Sequence, residues 1–299
     1  MLATTKSNGW YHLMAAVTVS IWGTTFVSTK VIIGHGLSPV DILFYRFLLA
    51  YICIFFFSYR KLLSNSWRDE LTFVALGICG GSLYFIAENT AVGITLASNV
   101  SLIICTAPIL AAFLSLLFYK GEKLQKKLIC GSLLALFGVG LVVFNGSFIL
   151  KINPAGDMLT LLAALLWAFY CLLLRRMSSR YTTLFITRKV FFYGIVTMLP
   201  YYLFVPLQTD PAILFRPVVL GNLFFLGVVA SMLCYLMWNT AVKRLGVVRT
   251  TNYIYVVPLV TLLTSAVIID ETITVVALFG SILILGGVYI AERGLGKWH

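Results

Sequence analysis

A carboxylate inside a long apolar run has few reasons to be there, and Glu88 is one. No charge lies one helical turn away, since Tyr84 and Val92 occupy those places. A charge deep in a membrane helix is costly and tends to face the protein interior. Glu88 could bind a cationic group or hold a coupling proton, because desolvation favours the neutral acid. It could equally be half of a structural ion pair with Lys30 or Arg46. Arg46, in Phe44-Tyr45-Arg46-Phe47, has a planar fork that can take a carboxylate in bidentate fashion. It could instead lock Asp41 or Glu88. Lys30 stands near the end of its apolar run and can either snorkel outward or meet a solute.

Other residues join this set. Arg188 is a candidate for an inner gate, while Lys189 can simply anchor in head groups. Asn89 and Asn239 each offer one acceptor and two donors; helix-to-helix glue is their plainer role. Trp22 falls mid-run, away from the interfaces where belt tryptophans sit. It could line a central cavity with Tyr84 and with Tyr253 or Tyr255, or pack in a core. Such rings could stack on a flat solute or cover a cation. Pro108 and Pro258, mid-segment, should kink their helices and could act as hinges. The six cysteines lie in apolar runs without metal spacing. No histidine pair has zinc spacing, and no phosphate-cradling glycine loop is present. These observations predict no catalytic residue, no metal and no cofactor.

Only helices could position these residues. The chain has 299 residues, 61% hydrophobic and 11% charged, where soluble domains carry about 25% charged residues. A water-facing surface cannot be built from that stock; a lipid-facing one can. Ten apolar segments approach the roughly 20 residues a crossing helix needs. They lie near 11–33, 40–59, 70–91, 96–119, 127–146, 156–175, 184–206, 217–240, 247–269 and 273–291. They show no alternation, which excludes a barrel. The net charge of +12 does not point to nucleic acid, because the cations lie mostly in short connections. With the amino terminus inside, 16 Lys and Arg fall on the inner side and 3 (Lys30, Lys151, Arg216) on the outer. That bias predicts cytoplasmic termini.

The chain also repeats. Asn89-Thr90-Ala91-Val92 returns as Asn239-Thr240-Ala241-Val242, and Pro108 as Pro258. Gly131-Ser132 returns as Gly280-Ser281, and Gly138-Val139 as Gly287-Val288. Arg46 pairs with Arg188, and Trp22 loosely with Trp167. Each unit holds five spans, so residues 1–150 and 151–299 should cross the membrane in opposite senses. Inverted repeats of this kind are a common chassis of secondary transporters. A membrane enzyme, a channel and a non-transporting scaffold are the weaker alternatives.

Several of these stretches resemble the ten-helix branch of the drug/metabolite transporter superfamily, built of two EamA domains. Trp22-Gly23-Thr24-Thr25-Phe26 looks like its first-helix signature. Phe44-Tyr45-Arg46-Phe47, Asn89-Thr90-Ala91, Ala107-Pro108-Ile109, Gly121-Glu122-Lys123 and Asp270-Glu271 are similar to the family pattern over residues 11 to 291. Trp167-Ala168-Phe169-Tyr170 departs from it, lacking the glycine that follows Trp22. The resemblance implies an all-α protein of ten transmembrane helices in two inverted five-helix repeats. It implies an exporter of small organic metabolites such as amino acids, working by alternating access in the cell membrane, bacterial inner membrane for preference. Nucleotide-sugar or sugar-phosphate exchange is the alternative within that superfamily. The expected partners are a small-molecule substrate, the lipid bilayer and coupled protons, with a monomer or weak homodimer as the assembly.

Overall fold

The computed structural model describes residues 8–94, 97–119, 126–144, 153–207, 209–268 and 274–294. The stretches around Glu122, Lys123, Asp270 and Glu271 lie outside them, as does the side chain of Lys30. The described residues form helices and turns only. In order these are α1 (Asn8–Gly34), α2 (Pro39–Phe57) and α3 (residues 67–94). Next come α4 (Ala97–Ile104 with Ala107–Phe118), α5 (Lys126–Phe144) and α6 (Pro154–Ser178). The last are α7 (Thr183–Tyr202), α8 (residues 217–245), α9 (residues 247–268) and α10 (Val275–Gly294). Among the described residues six stretches are long and apolar enough to cross a membrane: Pro39–Phe57, Trp67–Ala91, Lys126–Val143, Pro154–Ser178, Pro217–Leu245 and Val247–Thr264.

The helix ends follow local rules. Ser38, Ser66, Asn153 and Thr182 each accept a hydrogen bond from a first-turn backbone N–H of α2, α3, α6 and α7. Such caps satisfy donors that the helix itself leaves free. Pro39 and Pro154 follow at positions where no N–H is needed. Gly246 makes the turn from α8 to α9 at φ +88°, a conformation that side chains with a Cβ rarely adopt.

Packing obeys the repeat. α1 lies on α8 as α6 lies on α3; α3 packs against α7 as α8 packs against α2; α4 meets α6 as α9 meets α1. The helices ending the two units, α5 and α10, form a close antiparallel pair. A Cβ on Gly131 would fall 2.5 Å from the Gly287 carbonyl oxygen, and one on Gly138 2.6 Å from that of Gly280. Exchanging the units turns one of these contacts into the other. Small residues let backbones touch where lipid gives no hydrophobic drive for association.

The irregular turns repeat too. π-helical segments interrupt α3 at Ile78–Ser82 and α8 at Phe225–Leu233. α4 breaks at residues 105–106, and α9 tightens to a 3-10 turn at Asn252–Val256. Pro108 therefore does not stand inside a regular helix, and Pro258 follows a change of helical pitch. Pro108 stands in the first turn after the break in α4, and Pro258 in the first α-helical turn after the 3-10 segment of α9, where the tighter turn precedes it. Large side chains such as Phe204 (85% exposed), Val267 and Val275 project from the bundle, as suits a lipid-facing surface.

Candidate functional site

A buried layer of rings crosses the middle of the bundle, and two of the charged candidates, Arg46 and Glu88, sit in it. Trp22 from α1 meets Trp167 edge-on at 5.3 Å and contacts Tyr235 and Trp238 of α8. Trp167 stacks on Tyr170 at 5.0 Å and touches Tyr84 of α3. Trp238, Tyr170 and Tyr235 are buried, while Trp22 and Tyr84 keep part of their surface open. Tyr253 and Tyr255 are not the rings beside Trp22. The Tyr253 hydroxyl meets His12 Nδ1 at 2.8 Å, and Tyr255 is buried in α9.

Two of these rings also close backbone gaps. Trp22 Nε1 donates to the Ala230 carbonyl at 3.0 Å, and the Tyr235 hydroxyl donates to the Gly80 carbonyl at 2.6 Å. Gly80 and Ala230 hold the same place in the two units, each inside a π-helical turn. A buried carbonyl in irregular helix needs a donor, and the aromatic layer supplies one on both sides.

Arg46 and Glu88 are both buried in this layer. Arg46 Nε donates to Ser231 Oγ at 2.9 Å, and its guanidinium lies 4.8 Å from the Phe85 ring centroid. Glu88 Oε1 accepts from the Tyr84 hydroxyl at 2.9 Å. The two charges feel each other's field but form no ion pair within 4.0 Å among the described residues. Each is held by a neutral partner, which leaves hydrogen-bonding capacity on both. A zwitterion could be met here at both ends, with rings around it.

The remaining candidates hold the frame. Asn239 is fully buried, donating to Thr187 Oγ1 at 2.9 Å and accepting from the Tyr170 hydroxyl at 2.7 Å. Asn89 makes one long contact, 3.4 Å, to the Pro39 carbonyl. Arg188 does not enter the ring layer. Its guanidinium donates to the carbonyls of Ser58, Lys61 and Leu62, just past the end of α2.

Beside it lies a cluster whose carboxylates sequence patterns did not single out, and in which Lys189 is buried in an ion pair instead of anchored in head groups. Lys189 pairs with Glu70, which also accepts from Tyr193 and from the Ser64 backbone. Arg180 pairs with Asp69 at 2.9 Å, and Tyr181 donates to the same carboxylate at 2.8 Å. Together they fasten the α2–α3 connection to α7 and to the α6–α7 turn. At the other end Asp41 accepts from Tyr202 at 3.1 Å and Thr209 at 2.7 Å, fastening the α7–α8 connection to α2. The signal that could have exposed Tyr235 and Trp238 was spacing. Both fall within one turn of Asn239 on its helix, and they occupy the repeat positions of Phe85 and Glu88.

The profile of the family described as "EamA-like transporter family" matches the chain twice, over residues 9–144 and 154–292. The chain belongs to the EamA-like transporter family. It is thus a multi-pass integral membrane transporter of the drug/metabolite superfamily and not an enzyme. An uncharacterized transporter of Archaeoglobus fulgidus is 29% identical, with 93% of this chain and 96% of the relative aligned. A protein of Escherichia coli named as a probable amino-acid metabolite efflux pump is 26% identical, with 96% of each chain aligned. A crystal structure 18% identical superposes with a TM-score of 0.77, covering 96% of the transporter and 98% of that chain. The last likeness establishes a shared fold.

Proposed function

We propose that this transporter exports small zwitterionic metabolites of the amino-acid class by alternating access. One observation carries the solute class: Arg46 and Glu88 are buried together at mid-bundle, unpaired with each other and surrounded by rings. Arg46 would take the solute carboxylate and Glu88 its ammonium group or a coupling proton. Trp22 and Tyr84 would cover the side chain. The direction rests on the Escherichia coli relative named as an efflux pump.

The ten helices cross the bilayer as two inverted units, residues 1–150 and 151–299, with both termini cytoplasmic. The 16-to-3 charge bias and the antiparallel α5–α10 pair support this reading. The break before Pro108 and the 3-10 turn before Pro258 serve as matched hinges. Lys30 lies near the outer mouth, Asn89 and Asn239 brace the pathway, and Arg188 secures the inner closure. The working unit is a monomer or weak homodimer. Labelling that placed Lys123 and Glu271 on the same side of the membrane would end the inverted arrangement.

Reconstitution tests the solute assignment. In sealed vesicles the protein should accelerate counterflow of labelled amino acids, and Arg46→Gln should abolish it. Glu88→Gln should remove any dependence on a pH gradient. Solute counterflow no faster than in protein-free vesicles would defeat the proposal; unchanged pH dependence in Glu88→Gln would remove Glu88 as proton site.

A further inference from the structure

At the end of the bundle where α2 meets the α6–α7 turn lies a cavity of about 350 Å³. Its wall includes Phe57, Arg60, Lys61, Arg180, Tyr181 and Phe185. Arg180 is already neutralised by Asp69, and the nearby Glu70 by Lys189. Arg60 and Lys61 are exposed and have no ion-pair partner among the described residues. The Lys61 ammonium is held in place, bonded to Asn65 and lying 5.3 Å from the Tyr181 ring centroid and 5.7 Å from that of Phe185. The guanidinium of Arg60 rests over its neighbour Tyr59. The cavity therefore offers two unneutralised cations on an aromatic floor.

What surrounds the cavity identifies its occupant. Phe56 and Phe57 are each 72% exposed, Leu63 is 72% exposed and Trp67 76%. Apolar side chains this bare, at the end of a membrane helix, belong against acyl chains and the interfacial layer. A cationic pocket flanked by such a skirt matches a lipid whose head carries a net negative charge and whose tails run down the bundle. A soluble anion would use the cations and leave the skirt without purpose.

We propose that this cavity binds the phosphate head of an anionic phospholipid, with Arg60 and Lys61 as its charged contacts. The lipid bridges the two units, because the cations come from the α2–α3 connection and the floor from the α6–α7 turn. This goes beyond the transport reading and uses no part of the ring layer. Of that reading it needs only the depth of the α2–α3 connection at the cytoplasmic interface.

Native mass spectrometry of the purified full-length protein in detergent tests it, with phosphatidylglycerol and phosphatidylethanolamine offered in equal amounts. The wild type should retain phosphatidylglycerol in preference. Each cation removed should lower that preference about fivefold, so the Arg60→Gln, Lys61→Gln pair loses most of it. Arg216→Gln, at the opposite end of the bundle, should leave it unchanged. If the double variant fails to fold, Arg60→Gln alone carries the test with its single step. Equal retention of both lipids by the wild type, or an undiminished preference in the variants, overturns the proposal. Displacement of phosphatidylglycerol by millimolar inorganic phosphate overturns it too, by assigning the pocket to a soluble anion. None of these outcomes bears on solute counterflow.

Discussion

The two units share a backbone plan and divide the chemistry between them. Their π-helical turns, broken helices and touching glycines match position for position. The side chains at matched positions do not. Where the first unit has Glu88, the second has Trp238; where it has Phe85, the second has Tyr235. Arg46 reaches Ser231 in the ring layer, whereas its counterpart Arg188 holds loop carbonyls at one end of the bundle. Both units thus supply rings, but the charges come from the first and the neutral hydroxyl of Ser231 from the second. Symmetry is needed for two backbones to exchange shapes; a solute with unlike ends needs a site without it.

The fastenings at the two ends differ in the same way, and the largest expected effects lie there. Lys189–Glu70 is a buried pair, with side-chain exposures of 5% and 11%. Removing one partner strands a buried charge, so Lys189→Met should cost about 3–5 kcal/mol. At the opposite end the Asp41 carboxylate accepts from the hydroxyls of Tyr202 and Thr209. Asp41→Asn keeps the shape and should cost about 1–3 kcal/mol. Thermal unfolding in detergent measures both. Equal losses would erase the distinction between the two ends. Accessibility labelling sharpens it: Lys189→Met should expose the ring layer from the Lys189 end, and Asp41→Asn from the other.

A second comparison sets two glycines on one helix against each other. A Cβ on Gly138 would press on the Gly280 carbonyl oxygen at 2.6 Å, while one on Gly140 would meet nothing within 4 Å. Backbone atoms cannot step aside as a flexible side chain can. Gly138→Ala should therefore cost about 1–3 kcal/mol by forcing α5 and α10 apart. Gly140→Ala should be neutral or stabilising by up to about 1 kcal/mol. Matching melting temperatures for the two variants would mean that the α5–α10 contact is not as close as its geometry states.

Much of this frame was legible because membrane helices announce themselves by length and polarity. The repeat was legible because glycine and proline mark backbone events that must recur. Arg46 and Glu88 stood out as charges in apolar surroundings, and both do sit in the ring layer. Asp69 and Glu70 were not legible. Their sequence context, Ser66-Trp67-Arg68-Asp69-Glu70, reads as an ordinary capped helix start. Their partners Arg180 and Lys189 lie more than 100 residues away. The π-helical turns were hidden for a related reason. They depend on donors from Trp22 and Tyr235 on other helices, which no local pattern contains. Pro108 and Pro258 were found, but the break before the first and the 3-10 turn before the second depend on the residues just before them.

The smallest expected difference tests whether matched residues keep matched roles. Asn239 ties α6 to α7 through two good bonds in full burial, whereas Asn89 makes one contact at the edge of hydrogen-bonding distance. Interhelical hydrogen bonds within membranes average about 0.6 kcal/mol. Asn239→Ala should then cost about 1 kcal/mol, with the Tyr170 hydroxyl losing its acceptor and Thr187 keeping its bond to the Thr183 carbonyl. Asn89→Ala should change stability by less than about 0.5 kcal/mol. If counterflow nonetheless falls sharply in Asn89→Ala while stability holds, Asn89 touches the solute or its path. The repeat would then have kept one asparagine as a brace and freed its twin for transport.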